Sequence, residues 1–454
     1  MGRSGQSLRL SSHAISQPPD PSGIVLTDKV ARLGDQPQYI ALGKVFAVGL
    51  GNALEFYDFL TYSFFAIQIG HCFFPLSQTA HGLLFSLATF GVGFITRPLG
   101  SIVIGTFGDR AGRRPAMVLS FTLMGIGITG LALTPSYASI GIAAPILLLI
   151  FRLLQGFAMG GEVGPSTAFL IEAAPPNRRG LYVAVQCTTQ DLAVLAAGIV
   201  GFALSNLLSP ASLDQWGWRL AFLIGATVVP FGLYLRRTLP ETLSGADRVM
   251  ARLERPRAPR RLIVLGLMLA MASTIGGYAL SYMTTYAQDT LRLVAGVAFG
   301  ATLMNGLGNM IGDLLSGLLS DRVGRKPVMA FSVVLLLLLT LPAYLAMTRF
   351  PGALTVYVAT SVLCVLQQLF TNAALVTIIE SLPKAVRSSV FGILYALATT
   401  VFGGTTQLVI KLLTEATGSS LAAAWYMTGA LAIGALAVVL IRETAPVKAR
   451  RTSF

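Results

Sequence analysis

Charge is what this chain has least of. Its 33 basic and 19 acidic residues make up 11% of 454, against roughly a quarter in ordinary soluble domains. A soluble protein needs more charge than that to keep its surface wet, so a water-soluble enzyme is excluded. Hydrophobic residues at 54% and a mean hydropathy of +0.71 exclude disorder and fibres. Cysteine is scarce too: Cys72, Cys187 and Cys364 lack metal-ligand spacing and fall in or beside apolar segments, as reduced packing residues do. The three histidines, His13, His71 and His81, lie outside the apolar cores. No nucleophile–base pair or metal cluster is present, which disfavours an integral-membrane enzyme and leaves no cofactor to expect beyond a coupling proton. The first ~40 residues lack the apolar core of a signal peptide. They are polar, with Pro18, Pro19 and Pro21, and read as a disordered arm.

What is present is apolar length. A helix needs about 20 apolar residues to cross a ~30 Å hydrocarbon core. Such spans fall at about 42–70, 81–107, 116–134, 141–172, 181–206 and 218–235. A second set follows at about 262–288, 295–319, 328–348, 352–380, 388–413 and 420–441. The fold class expected is therefore all-α and integral to the membrane, with twelve transmembrane helices in two groups of six.

The net charge of +14 could signal nucleic-acid binding, but its placement says otherwise. Of the 33 basic residues, 27 fall in the arm, the tail and alternate gaps between spans. The opposite gaps hold almost none, apart from Arg292, Arg349 and, at the edge of span 6, Arg219. This is the positive-inside asymmetry. It predicts both termini on the cytoplasmic side of a bacterial inner membrane and a lipid bilayer, not nucleic acid, as partner. The expected organisation is an arm over 1–40, a six-helix bundle over 41–237, a basic linker over 238–260, a second bundle over 261–442 and a tail over 443–454. A monomer is expected.

An internal repeat supports the division into halves. Asp109-Arg110-Ala111-Gly112-Arg113-Arg114-Pro115 returns 212 residues later as Asp321-Arg322-Val323-Gly324-Arg325-Lys326-Pro327. Ile171-Glu172, Pro175 and Arg179 return as Ile379-Glu380, Pro383 and Arg387, offset by 208. Acids among the arginines are not needed for topology. Asp109 is a candidate to cap the next helix and pair with an arginine, and such clusters can latch the cytoplasmic ends in one conformation. A plain turn bearing topogenic charge is the alternative. Asp109, Arg110, Arg113, Arg114, Glu172, Arg179, Asp321, Arg322, Arg325, Glu380 and Arg387 are the gating candidates.

The loop from Gly105 to Arg114 and its copy Gly317–Lys326 resemble the signature of the major facilitator superfamily. Five further stretches resemble the metabolite:proton symporter family within it. They are Gly51 to Phe59, Arg97 to Gly100, Arg152 to Glu162, Trp216 to Arg219 and Phe402 to Gly404. The resemblance covers about 40 to 442. It implies that superfamily's fold of two pseudo-symmetric six-helix bundles, alternating access and proton-coupled uptake of a small metabolite.

Ionisable residues inside a span are costly, from ~3 to more than 10 kcal/mol when unpaired, so they are where function is sought. At 1.5 Å per residue, Arg97 and Asp191 each lie ~16 Å from the nearer helix end, close to the midplane. Asp313 lies ~12 Å deep. None of Arg97, Arg152, Asp191 or Asp313 is duplicated in the other half, whereas the loop clusters are. The loops therefore read as shared conformational machinery and the deep charges as chemistry. Arg97 and Arg152 are the candidate anion ligands. Glu55, Asp58, Glu162, Asp191 and Asp313 are the proton-coupling candidates, Glu162 and Asp58 foremost. An acid beside an arginine keeps a low pKa, and substrate carboxylates that capture the arginine free the acid to take a proton. Static ion pairs, Arg152 with Glu162 or Arg97 with Asp58, are the competing reading.

Tyr57, Gln186, Tyr278, Tyr282, Asn309 and Gln368 are candidates to line a cavity; interhelical hydrogen bonding accounts for them equally well. Two deep arginines suit a polycarboxylate, and several stretches look most like citrate and tricarballylate carriers. Gln407 departs from the proline that relatives usually carry there. Lys411, near the outer end of span 11, either snorkels or attracts anions. The competing carrier reading is a proline- or betaine-type osmolyte symporter. A non-transporting nutrient receptor is a further alternative, for which arm and tail leave no room for a signalling domain.

Overall fold

Long apolar stretches without water must close every backbone hydrogen bond internally, which makes them helices. The structure is a computed structural model; it describes residues 53, 56–58, 60–74, 79–111, 113–160, 167, 170–171, 174–238, 259–382 and 387–446. The arm and most of the basic linker lie outside these.

In chain order the main helices are α1 (Ala66–Phe73), α2 (Thr79–Ile95), α3 (Arg97–Ala111), α4 (Arg113–Leu133), α5 (Ala143–Met159), α6 (Arg179–Leu207) and α7 (Trp218–Thr238). They continue as α8 (Arg260–Ser281), α9 (Ala295–Val323), α10 (Arg325–Arg349), α11 (Ala353–Ser381), α12 (Arg387–Ala398), α13 (Gly404–Thr417) and α14 (Ala422–Leu440). Among the described residues seven helices are long and apolar enough to cross a membrane. Every predicted span falls on helix where it is described, spans 1 and 4 being described only in part.

Two spans are interrupted where one continuous helix was expected. Span 2 divides at Thr96, whose hydroxyl donates to Leu153 O at 2.7 Å. Span 11 contains a wide turn, Thr399–Gly403, between α12 and α13. Both interruptions lie where the two halves meet.

Within the first half, α5 packs on α2, α3 and α4, and α4 on α7. Within the second, α11 packs on α8, α9 and α10, and α14 on α8 and α10. The halves join mainly along α6 with α9 and along α2 with α13. These seams correspond to spans 5 and 8, and to spans 2 and 11. The repeat maps span 5 onto span 11 and span 2 onto span 8, so the two seams are one contact used twice. Large apolar side chains such as Ile102, Phe331, Val358 and Val439 face outward, as a lipid-facing surface requires.

Candidate functional site

Small residues bring the deep charges together. A Cβ on Gly156 would overlap the carbonyl of Gly93, one on Gly100 that of Phe157, and one on Gly160 that of Arg97. The backbones of α5 and of α2–α3 therefore touch, and this contact sets Arg97 and Arg152 on neighbouring surfaces. Arg152 is fully buried. Its Nη1 donates to Gln155 Oε1 at 2.7 Å, and its guanidinium carbon lies 4.4 Å from the Tyr62 ring centre and 5.5 Å from that of Phe90. The Arg97 guanidinium carbon lies 4.0 Å over the Phe94 ring. Such stacking is worth roughly 2 kcal/mol when desolvated and holds each guanidinium flat.

Tyr278, on α8 of the second half, closes the group. Its ring sits edge-on to Phe90 and Phe94, at 6.2 and 5.5 Å between centres. It reaches Arg97 and lies in the field of Arg152. Asp58 is buried and lies in the field of Arg152. Arg97, Arg152, Asp58 and Tyr278 thus form one site between the halves. Phe90 and Phe94 were not singled out from the sequence. Their signal is spacing: four apart on one face, ending three residues before Arg97.

The remaining candidates divide among other places. Asp191 on α6 and Asp313 on α9 face each other across the seam, with Asn309 and Gln368 beside Asp191. Tyr57 joins span 1 to α7 by donating to Ala221 O at 3.0 Å. Gln186 Nε2 donates to Thr167 Oγ1 at 3.4 Å. Tyr282 is buried towards the opposite end, in the field of Asp289 and Glu415. Glu55 and Glu162 lie outside the described residues.

At the end that carries the arginine loops, Asp321 accepts hydrogen bonds from the backbone N–H groups of Gly180 and Leu181, both at 2.9 Å. It also accepts from Arg325 at 2.6 Å. Glu380 receives Arg325 Nε at 3.4 Å, Arg179 Nη1 at 3.6 Å and the Thr444 hydroxyl at 2.8 Å. Arg322 is exposed. The cap expected of Asp109 is made differently in the described copy of the loop. Asp321 holds the start of α6, in the other half, and Glu443 caps the next helix by accepting from Arg325 N at 2.9 Å and Lys326 N at 3.1 Å. At the repeat's offsets of 208 and 212 Glu443 falls on Leu235 and Phe231, so self-similarity in that register did not reveal it. Glu172 and the side chains of Asp109, Arg110, Arg113, Arg114 and Arg387 lie outside the described residues.

At the opposite end Lys411 is buried and pairs with Asp289 at 2.6 Å and Glu415 at 3.5 Å. It neither snorkels nor presents a free charge. Gln407 Nε2 donates to the Ser63 hydroxyl, joining the halves. His71, exposed just beyond span 1, pairs with Asp214 at 3.1 Å, and that partner raises the imidazole pKa.

Residues 44–255 match the family described as "Sugar (and other) transporter". The chain is 35% identical over 405 residues to the citrate-proton symporter of Klebsiella pneumoniae, covering 87% of this chain and 90% of that protein. It is 32% identical over 382 residues to the alpha-ketoglutarate permease of Escherichia coli (strain K12), covering 83% and 88%. It is 31% identical over 420 residues to the proline/betaine transporter of the same strain, covering 88% and 83%. The crystal structure of a D-xylose-proton symporter superposes with a TM-score of 0.71 at 19% identity, over 88% of this chain and 97% of that one. Two bundles joined along repeat-related seams, a charged site between them and relatives that match nearly end to end agree. This chain is a proton-coupled membrane transporter, not an enzyme, and belongs to the metabolite:proton symporter family of the major facilitator superfamily.

Proposed function

We propose that this transporter takes up a small organic anion, of the di- or tricarboxylate class that includes citrate, together with protons, by alternating access. The observation that carries the reading is the pair of buried guanidiniums, Arg97 and Arg152, stacked on Phe94 and Tyr62 and faced by Tyr278 from the other half. Planar donor edges suit carboxylates bidentately. A ligand held by both halves couples binding to their rearrangement. Loops rich in arginine favour a cytoplasmic location for that end of the bundle. The Asp321–Gly180 and Glu380 contacts support a role for the loop acids in holding that end closed. Relatives named for citrate and alpha-ketoglutarate support the substrate class.

The second reading, a zwitterionic osmolyte, draws on the relative named for proline and betaine. A quaternary ammonium needs open aromatic faces. Here guanidiniums lie over the rings of Tyr62 and Phe94, which favours the anion.

The test is uptake of labelled citrate, 2-oxoglutarate and proline into proteoliposomes, with and without an imposed pH gradient. Gradient-dependent accumulation of a carboxylate is expected. Arg97→Gln and Arg152→Gln should abolish both exchange and uptake. Accumulation of proline alone would transfer the reading to the osmolyte class, and normal transport by both variants would remove the arginines from the site.

A further inference from the structure

The proton need not share the anion's site, and a second buried group fits it better. Asp191 and Asp313 are 5% and 1% exposed. They project from different halves, from α6 and α9, and their carboxyl groups lie within hydrogen-bonding reach of each other. A hydrogen bond between two carboxyl groups exists only when one of them carries a proton. Asn372 on α11 donates to Asp313 Oδ1 at 3.5 Å, and Asn309 and Gln368 lie beside Asp191. The Oδ2 atoms of both acids are buried without a hydrogen-bond partner, which a shared proton would supply. Among the described residues no cation pairs with either acid; the other titratable groups facing them are the thiols of Cys187 on α6 and Cys364 on α11.

The seam leaves no room for a metabolite. A Cβ on Gly317 would meet Ala184 Cβ at 2.7 Å, and one on Gly306 would meet Leu195 N at 2.7 Å, so the backbones touch on both sides of the acids. Only a proton or a small cation fits there. Two carboxylates at hydrogen-bond distance away from water repel strongly. They stay together only while a proton is shared.

We propose that Asp191 and Asp313 form one shared-proton site across the α6–α9 seam, separate from the arginine site, and that loss of its proton drives the two halves apart along that seam. The inference builds on the proposed symport. It explains how a proton bound away from the substrate acts on the same conformational change, because its ligands come from opposite halves. Asp321 and Gly180 close the same seam ~16 Å away, eleven helical residues from Asp191.

Two measurements on the full chain test it. Infrared spectra in detergent at neutral pH should contain a protonated-carboxyl C=O band that disappears in the Asp191→Asn/Asp313→Asn double variant. Identical spectra would overturn the proposal, whatever the protein transports. In proteoliposomes each single Asn variant, which fixes a singly charged pair like the proton-bound one, should lose accumulation driven by a pH gradient while retaining measurable exchange of labelled carboxylate. Accumulation that persists in both variants, or that follows a sodium gradient and ignores pH, also overturns it. Absence of all exchange in the unmodified protein defeats the symport reading instead and leaves the infrared comparison to decide the acid pair.

Discussion

Asp321 reaches out of the second half to hold the start of a helix in the first, accepting from Gly180 N and Leu181 N at 2.9 Å. A carboxylate at a helix N-terminus is favoured by the unpaired N–H groups and the positive end of the dipole. The same acid holds the buried Arg325 at 2.6 Å, so one charge ties three helices together.

Asp321→Asn keeps an acceptor and removes the charge. Hydrogen bonds to a charged group are worth about 1.5–3 kcal/mol, which corresponds to roughly tenfold to a hundredfold in a conformational equilibrium. The variant should open the end that carries the arginine loops. Thiol labelling of cysteines introduced at the two ends checks this: labelling should rise at the loop end and fall at the other.

Lys411→Gln tests whether that lysine serves anions or architecture. Removing one partner of a buried pair costs about 3–5 kcal/mol, because the other charge is left behind. The melting temperature should drop, and Asp289→Asn added to Lys411→Gln should recover much of the loss. A stable single variant with weakened substrate binding would instead assign Lys411 to the anion.

Gly156→Ala places a methyl against the Gly93 carbonyl. Overpacking of this kind costs about 1–3 kcal/mol and would push Arg152 away from Arg97. Thermal unfolding in detergent should show the loss. Gly277→Ala, with nothing within 4 Å, should show none.

His71 gives a pH dependence at the exposed end. Asp214 raises its pKa above the ordinary 6.5. The pair therefore contributes in full below about pH 6.5, and its contribution disappears as pH climbs through the raised value. With side chains 36% and 39% exposed, solvent screening keeps the effect small. Melting temperature should fall slightly over that window, and His71→Ala should flatten the slope.

The spans were legible because lipid imposes length and apolarity on every crossing. The duplicated loops were legible because the halves repeat. The split of span 2 at Thr96 was not, since the hydroxyl's partner, Leu153 O, belongs to another helix. Nor was the pairing of Lys411 with Asp289, which lie 122 residues apart.

The deep charges divide in the same way. Scarcity of charge was enough to single out Arg97, Arg152, Asp58, Asp191 and Asp313, because hydrocarbon penalises each of them wherever the chain goes. Their grouping needed the tertiary structure. Glycine contacts between α5 and α2–α3 set the two arginines together, while the α6–α9 seam sets Asp191 against Asp313. Depth along a helix is counted in residues of that helix; proximity depends on which faces of different helices meet.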